Sequence, residues 1–227
     1  MKDKVDVKWR DMSLFYPDQL WRFVPESIDR WDTELQKSLS DPNNPFWLKV
    51  EFYSESTPGI LLMMGLFFTL WFILGSRTKT RFLQGLKFFF LLCVFLTISD
   101  FVAAKFLKIP IGRLKPRVNG IIPDLYQALS FPSNHAFNLI FCWTFFYRSF
   151  FVFAVDWKTK MPLFYALSIP IIVLVCLSRI VLREHFPLDI LGGWILGSLF
   201  AILLFPMFRK LVLKWIIKVQ SLDDIRK

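Results

Sequence analysis

Residues 162–205 read PLFYALSIPIIVLVCLSRIVLREHFPLDILGGWILGSLFAILLF. Two apolar runs, 162–178 and 189–205, flank a short connection that holds Arg179, Arg183, Glu184 and His185. Each run is near the roughly 17–25 residues that carry a helix across a bilayer. The first contains no charged residue. Two such runs predict a pair of membrane helices with a polar connection at one membrane surface.

Working outward, three more runs of this kind appear at 59–75, 83–104 and 134–155. Of the 227 residues 55% are hydrophobic and 18% aromatic, above the roughly 45–50% apolar content of soluble proteins. The expected fold is therefore all-α: a polytopic membrane helical bundle of about five transmembrane helices. Lys87, Asp100 and Arg148 fall toward the ends of their runs, where long side chains reach the interface. Residues 58–208 form the expected transmembrane domain. Residues 1–57 form an N-terminal amphipathic segment, and 209–227 a basic cytoplasmic tail. Cys93, Cys142 and Cys176 each sit inside an apolar run, which suits small buried side chains and neither a disulfide framework nor a metal site.

The formal net charge is +10, but it is unevenly placed. Residues 1–57 hold 8 Lys and Arg against 11 Asp and Glu, and the remainder holds 20 against 7. The later positives lie between apolar runs, and no basic stripe or nucleic-acid motif accompanies them, so a nucleic-acid partner is not expected. With five spans, the loop at 76–82, Lys158 and Lys160, and the tail from Arg209 share one face. The positive-inside rule makes that face cytoplasmic. The loops 105–133 and 179–188 then lie on the opposite face together with residues 1–57. The first of these loops is also basic, against the simple rule, which points to a functional demand for cations there.

Within residues 1–57 no run is long enough to span. Ile28, Trp31, Leu35 and Leu39 follow helical spacing, DPNNP at 41–45 interrupts it, and Phe46, Trp47, Val50 and Tyr53 resume it. Two interfacial helices lying on the bilayer fit this pattern. Two helices packed on the membrane domain fit it equally.

The chain has only two histidines, His135 and His185, and both fall in polar clusters on the non-cytoplasmic face. KIPIGRLKPR at 108–117 concentrates Lys108, Arg113, Lys115 and Arg117; positioned cations of this kind stabilise the charge that builds up in phosphoryl transfer. In FPSNHA at 131–136, Ser133 is placed to cap a helix whose free N–H groups favour a phosphate, with His135 in the first turn as a proton donor. In the third cluster Arg179 can hold phosphate in a forked geometry. Asp189 is placed to fix the tautomer of His185 and leave its other nitrogen free to attack. An isolated H-x-x-x-D spacing is common by chance; three clusters on one face are not.

Together the clusters resemble the phosphatidic acid phosphatase type 2 family, which includes the vanadium haloperoxidases. The family's signature is Lys-x6-Arg-Pro, Pro-Ser-Gly-His and Ser-Arg-x5-His-x3-Asp. Ser178, Arg179, His185 and Asp189 match the third part in full. Asn134 stands where the second usually has Gly, and Lys115 where the first usually has Arg. The resemblance implies a phosphohistidine intermediate on His185, orientation by Asp189 and leaving-group protonation by His135. It further implies a phosphate cradle of Lys108, Lys115, Ser133, Arg179 and the backbone near Asn134, with Arg113 or Arg117 compensating for the ammonium at 115. It implies no metal and no cofactor. The family commonly has six spans, and an interfacial segment here replaces the usual first one.

The expected function is thus hydrolysis of a phosphate monoester or diphosphate on a lipid head group by an integral protein of the bacterial inner membrane, with its active site on the non-cytoplasmic face. Lipid A phosphate, undecaprenyl diphosphate and phosphatidylglycerophosphate all fit as substrates. A lipid phosphotransferase using the same site and a catalytically inactive lipid-binding protein are the alternatives. Gly193 and Gly197, a small-x3-small pair, are expected to serve internal packing.

Overall fold

The computed structural model describes residues 24–55, 79–116, 129–153 and 157–217. Within them six helices can be followed. Helix α1 is Glu26–Leu39 and α2 is Pro45–Glu55. Helix α3 is Lys79–Val102, α4 is Asn134–Phe153, α5 is Trp157–Val181 and α6 is Pro187–Leu211. Among the described residues there is no strand, only an isolated antiparallel bridge between Leu114 and Leu129. The expected first span at 59–75 and Arg117 lie outside the described residues.

Helices α5 and α6 supply two stretches long and apolar enough to cross a membrane, Pro162–Val181 and Pro187–Lys214, while α3 holds the shorter apolar stretch Phe90–Ser99. The outward residues of α5 and α6 include Leu167, Val173, Leu177, Ile195, Leu199 and Leu203, all well exposed. A soluble monomer does not tolerate an apolar band of that extent; lipid does. Helix α3 is apolar on both sides. Phe88, Leu91, Leu92 and Phe95 are buried at helical spacing, and Phe90, Val94, Ile98 and Phe101 face outward.

Helix α4 is the inner helix, packing on α3, α5 and α6. Being shielded from lipid, it can carry Asn, His, Thr and Trp. Its Phe137, Phe141, Phe145 and Phe146 are fully buried. Phe88, Phe95, Phe145 and Phe208 meet at centroid distances of 4.7–5.9 Å, mostly edge to face, the arrangement ring quadrupoles favour. Helices α4 and α6 approach closely, and glycine permits it. A Cβ on Gly193 would sit 2.8 Å from the Ser133 carbonyl oxygen, and one on Gly197 2.5 Å from that of Phe137. The small-residue pair therefore serves internal packing. Both helices begin at the same end of the bundle, so this seam fixes what their first turns carry.

At that end α3 continues through a π-helical turn, Ala103–Lys108, and a short turn, Ile109–Ile111. Gly112, at φ 64°, ends it in the left-handed region that glycine adopts without strain. The chain then runs beside residues 129–130. The N–H of Ser130 donates to the Arg113 carbonyl at 2.6 Å, and Lys108 Nζ donates to the Leu129 carbonyl at 3.3 Å. The loops carrying the first two sequence clusters are thus stapled together.

The break between α1 and α2 falls at residues 40–44, where DPNNP interrupts the helical spacing. Helix α1 packs on the membrane domain through one side. Asp32 and Gln36 form the buried side of α1, against α5 and α6. Ile28, Trp31 and Leu39 are exposed. At 100° per residue, the apolar stripe lies roughly a quarter turn from the docked face, so a helix resting on the bundle shoulder presents it sideways.

Candidate active site

The decisive stretch at 178–189 is built from the last turn of α5, a tight connection and the first turn of α6. The Arg179 carbonyl accepts from the N–H groups of both Glu184 and His185, at 2.9 and 3.0 Å, which folds the connection back over the helix end. Pro187 opens α6, and Asp189, in its first turn, accepts from the Phe186 N–H through Oδ2 at 2.7 Å. The same carboxylate oxygen lies 3.6 Å from His185 Nδ1. That is ion-pair range but beyond a hydrogen bond. The Ser130 hydroxyl bridges the gap, donating to Asp189 Oδ2 and lying 3.3 Å from His185 Nδ1. Nδ1 is therefore engaged, and Nε2 is the nitrogen left for chemistry. Burial pushes the His185 imidazole down to about 4, and the Asp189 carboxylate opposes this only in part. The ring is neutral at physiological pH, as a nucleophile must be.

Ser133 approaches from α4. Its N–H donates to the Asp189 carbonyl at 3.1 Å. Its hydroxyl is buried and makes no hydrogen bond among the described residues, so the expected cap is not formed and the oxygen is left for a ligand. Asn134 Oδ1 is in the same state. A buried polar group without a partner carries a desolvation cost of about 1–3 kcal/mol that a bound anion with a proton to share would relieve. His135, one residue on, is within electrostatic reach of Arg179, His185, Lys115 and Lys108. Lys108 is 5% exposed and Arg179 is fully buried. Arg179, Lys108 and His185 thus lie within electrostatic reach of His135, and the two orphaned side-chain oxygens belong to the two residues just before it.

Arg113 takes a place the spacing does not suggest. Expected as an extra phosphate contact, its guanidinium instead serves three carboxylates. Nη1 binds Asp189 Oδ1 at 2.9 Å, and Nη2 meets Asp29 at 3.1 Å and Asp32 at 2.7 Å. Its face lies on the Phe186 ring, 3.8 Å from the centroid. Lys115 is paired to Glu184 at 2.7 Å. Burial pushes the Glu184 carboxyl up, but the Lys115 ammonium together with His185 and Arg179 outweighs this, leaving it below its ordinary range. From α2, Glu51 places a carboxylate 3.7 Å from Arg179.

A model of the PAP2 superfamily matches residues 88–213, more than half of the chain. The chain belongs to the PAP2 superfamily. No curated protein sequence matches it. Among solved structures it is similar to the crystal structure of the first transmembrane PAP2 type phosphatidylglycerolphosphate phosphatase from Bacillus subtilis. The likeness covers 88% of this chain and 96% of that one, with a TM-score of 0.58 and 21% identity, and it speaks for the fold.

Within this PAP2 chain, spacing alone does not identify Ser130, Asp29, Asp32 or Glu51. Ser130 stands immediately before the FPSNH cluster, and its proximity to a motif is the only signal that could have found it. Asp32 does two things at once: it pairs with Arg113 and accepts the Leu188 N–H at 2.9 Å. Burial pushes its carboxyl up, the Leu188 N–H and Arg113 pulling back. Asp32→Ala, which removes both contacts, is expected to lower kcat by roughly ten- to a hundredfold with little change in KM, the size of effect expected when a reacting group is misplaced. Asp32→Asn keeps the acceptor for Leu188 and should recover part of the loss. Equal and parental kcat in both variants would exclude a positioning role.

Proposed function

We propose that this PAP2 protein is a lipid phosphatase that cleaves a phosphate monoester or diphosphate on a lipid head group through a phosphohistidine on His185. One observation carries the reading: a buried His185 with Nδ1 engaged lies in the same cluster as Arg179, Lys108 and the unpartnered Ser133 hydroxyl. In the first step His185 Nε2 attacks phosphorus, the phosphorus–oxygen bond to the lipid breaks, and His135 gives a proton to the departing oxygen. Asp189 balances the charge left on the ring. In the second step water attacks phosphorus, His135 takes its proton, and the phosphorus–nitrogen bond breaks to release phosphate. Arg179, Lys108, Ser133 and the backbone at Asn134 hold the phosphoryl oxygens. Lys115 reaches them by exchanging Glu184 for phosphate.

The exposed apolar face of α5 and α6 supports a lipid substrate and an integral membrane site. Five spans, a non-cytoplasmic active site, an interfacial 1–57, a transmembrane domain at 58–208 and a cytoplasmic tail at 209–227 belong to the same proposal. The test is phosphate release by the purified chain, without added metal and with chelator present. The panel is phosphatidylglycerophosphate, undecaprenyl diphosphate, lipid A phosphate and phosphatidic acid. Release from none of them would reject the proposal.

The neutral state of His185 has its own test. With only two histidines in the chain, selective ¹⁵N labelling yields two imidazoles, and His135→Ala assigns them. Because the His185 value is pushed down to about 4, the ring should stay neutral as pH falls from 7 through 5. It should protonate only as pH passes through about 4. A midpoint near the ordinary 6.5 would contradict the buried environment.

A further inference from the structure

At the far end of the α4–α6 pair a cavity of about 610 Å³ opens between the two helices. Helix α4 contributes Trp143, Thr144 and Arg148, and α6 contributes Ser198, Phe205 and Arg209. Arg148 stacks on the Phe205 ring with its guanidinium carbon 5.1 Å from the centroid. Arg209 Nε is buried and has no hydrogen-bond partner among the described residues. Among the described residues no carboxylate lines the cavity and neither guanidinium forms an ion pair. Arg148 lies 14 residues from the first residue of α4 and Arg209 lies 22 from that of α6, which at 1.5 Å per residue is about 20–33 Å. The cavity is therefore not the phosphate site.

Two arginines lining one cavity, neither in an ion pair among the described residues, stand with the hydroxyl-bearing Thr144, Tyr147 and Ser198, a set suited to an anion. The remaining wall is mainly aromatic and aliphatic, and Ile202, which also lines it, is 47% exposed on the lipid-facing side. An exposed apolar lining residue and an apolar wall suit an acyl-bearing molecule better than a soluble ion. We propose that this cavity binds the phosphate-bearing head group of an anionic membrane lipid, with Arg148 and Arg209 on the phosphate and the upper acyl chain along Phe205 and Ile202. The nearby Lys210 and Lys214 raise the local concentration of such lipids. This lipid would be a bound partner, not a substrate.

The test is native mass spectrometry of the full chain in detergent, offered phosphatidylglycerol or phosphatidylcholine. One phosphatidylglycerol should be retained about tenfold in preference to phosphatidylcholine, a factor that two directed charge-assisted contacts readily supply. Arg148→Gln/Arg209→Gln should remove that preference. Ser198→Leu keeps both guanidiniums but fills the cavity, and should weaken retention as well. Retention at the parental level in either variant overturns the proposal. Displacement of phosphatidylglycerol by millimolar inorganic phosphate overturns the lipid assignment and gives the cavity to a soluble anion. The readout is independent of turnover, so the proposed catalytic function and this one fail separately.

Discussion

His185→Ala is expected to lower lipid phosphate turnover by roughly ten-thousandfold or more, the scale of losing a nucleophile. Three features make the effect large. The ring is buried, so water cannot easily take its place. Its Nδ1 is engaged by Ser130 and the Asp189 carboxylate, so Nε2 is aimed. The nearby hydroxyls do not replace it: Ser133 has no base hydrogen-bonded to it among the described residues, and Ser130 is held on the Asp189 carboxylate behind the ring, on the Nδ1 side. The measurement is single-turnover phosphate release, paired with acid-labile, base-stable phosphoryl label on the protein. The parental chain should carry the label, and the variant should not. A variant that still turns over at a tenth of the parental rate would remove His185 from the mechanism. His185→Gln is the better second variant, because it keeps bulk and a hydrogen-bonding group in the buried position.

Gly197→Leu is expected to have the largest effect on stability. Even a bare Cβ would lie 2.5 Å from the Phe137 carbonyl oxygen. That neighbour is helix backbone and cannot rotate aside. Forcing extra carbons into a close-packed contact typically costs about 1–3 kcal/mol, and a backbone neighbour pushes toward the top of that range. For a chain of this size a loss of 3 kcal/mol lowers the thermal midpoint by roughly 10 °C. Gly193→Ala is the informative companion, since its Cβ would meet the Ser133 carbonyl at 2.8 Å. Pushing α4 away there displaces Ser133 and His135 from His185, so turnover should fall further than stability. A Gly197→Leu protein with the parental midpoint would mean that α4 and α6 do not approach as described.

The membrane character and the gathering of Lys108, Ser133, His135, Arg179, His185 and Asp189 at one end could be read in advance. Apolar runs of spanning length have few alternative folds, and short fixed spacings survive in helices and tight connections. The partners of Arg113 could not be read, because they lie 76 residues away at Asp189 and 84 at Asp29. Spacing carries no information across such separations. Arg113 and Lys115 look alike as loop cations, yet one is enclosed by carboxylates and the other meets a single glutamate at the rim. Similarly, the apolar stripe of α1 was visible as a pattern, whereas the docked side of that helix is its polar one. Asp32 and Gln36 are ordinary surface residues by type. Only the arrival of Arg113, Leu188 and Ile180 makes them interior.

Those same contacts impose an order of assembly. Asp32 accepts from Leu188 across 156 residues, and Gln36 donates to the Ile180 carbonyl across 144. A chain made from its N-terminus has produced α1 long before anything exists for it to dock on. Helix α1 must wait undocked until the last hairpin is in place. The Arg113 network around Asp189 is therefore completed at the end of synthesis, and a chain stopped short of α6 holds most of the motif residues but no working catalytic centre.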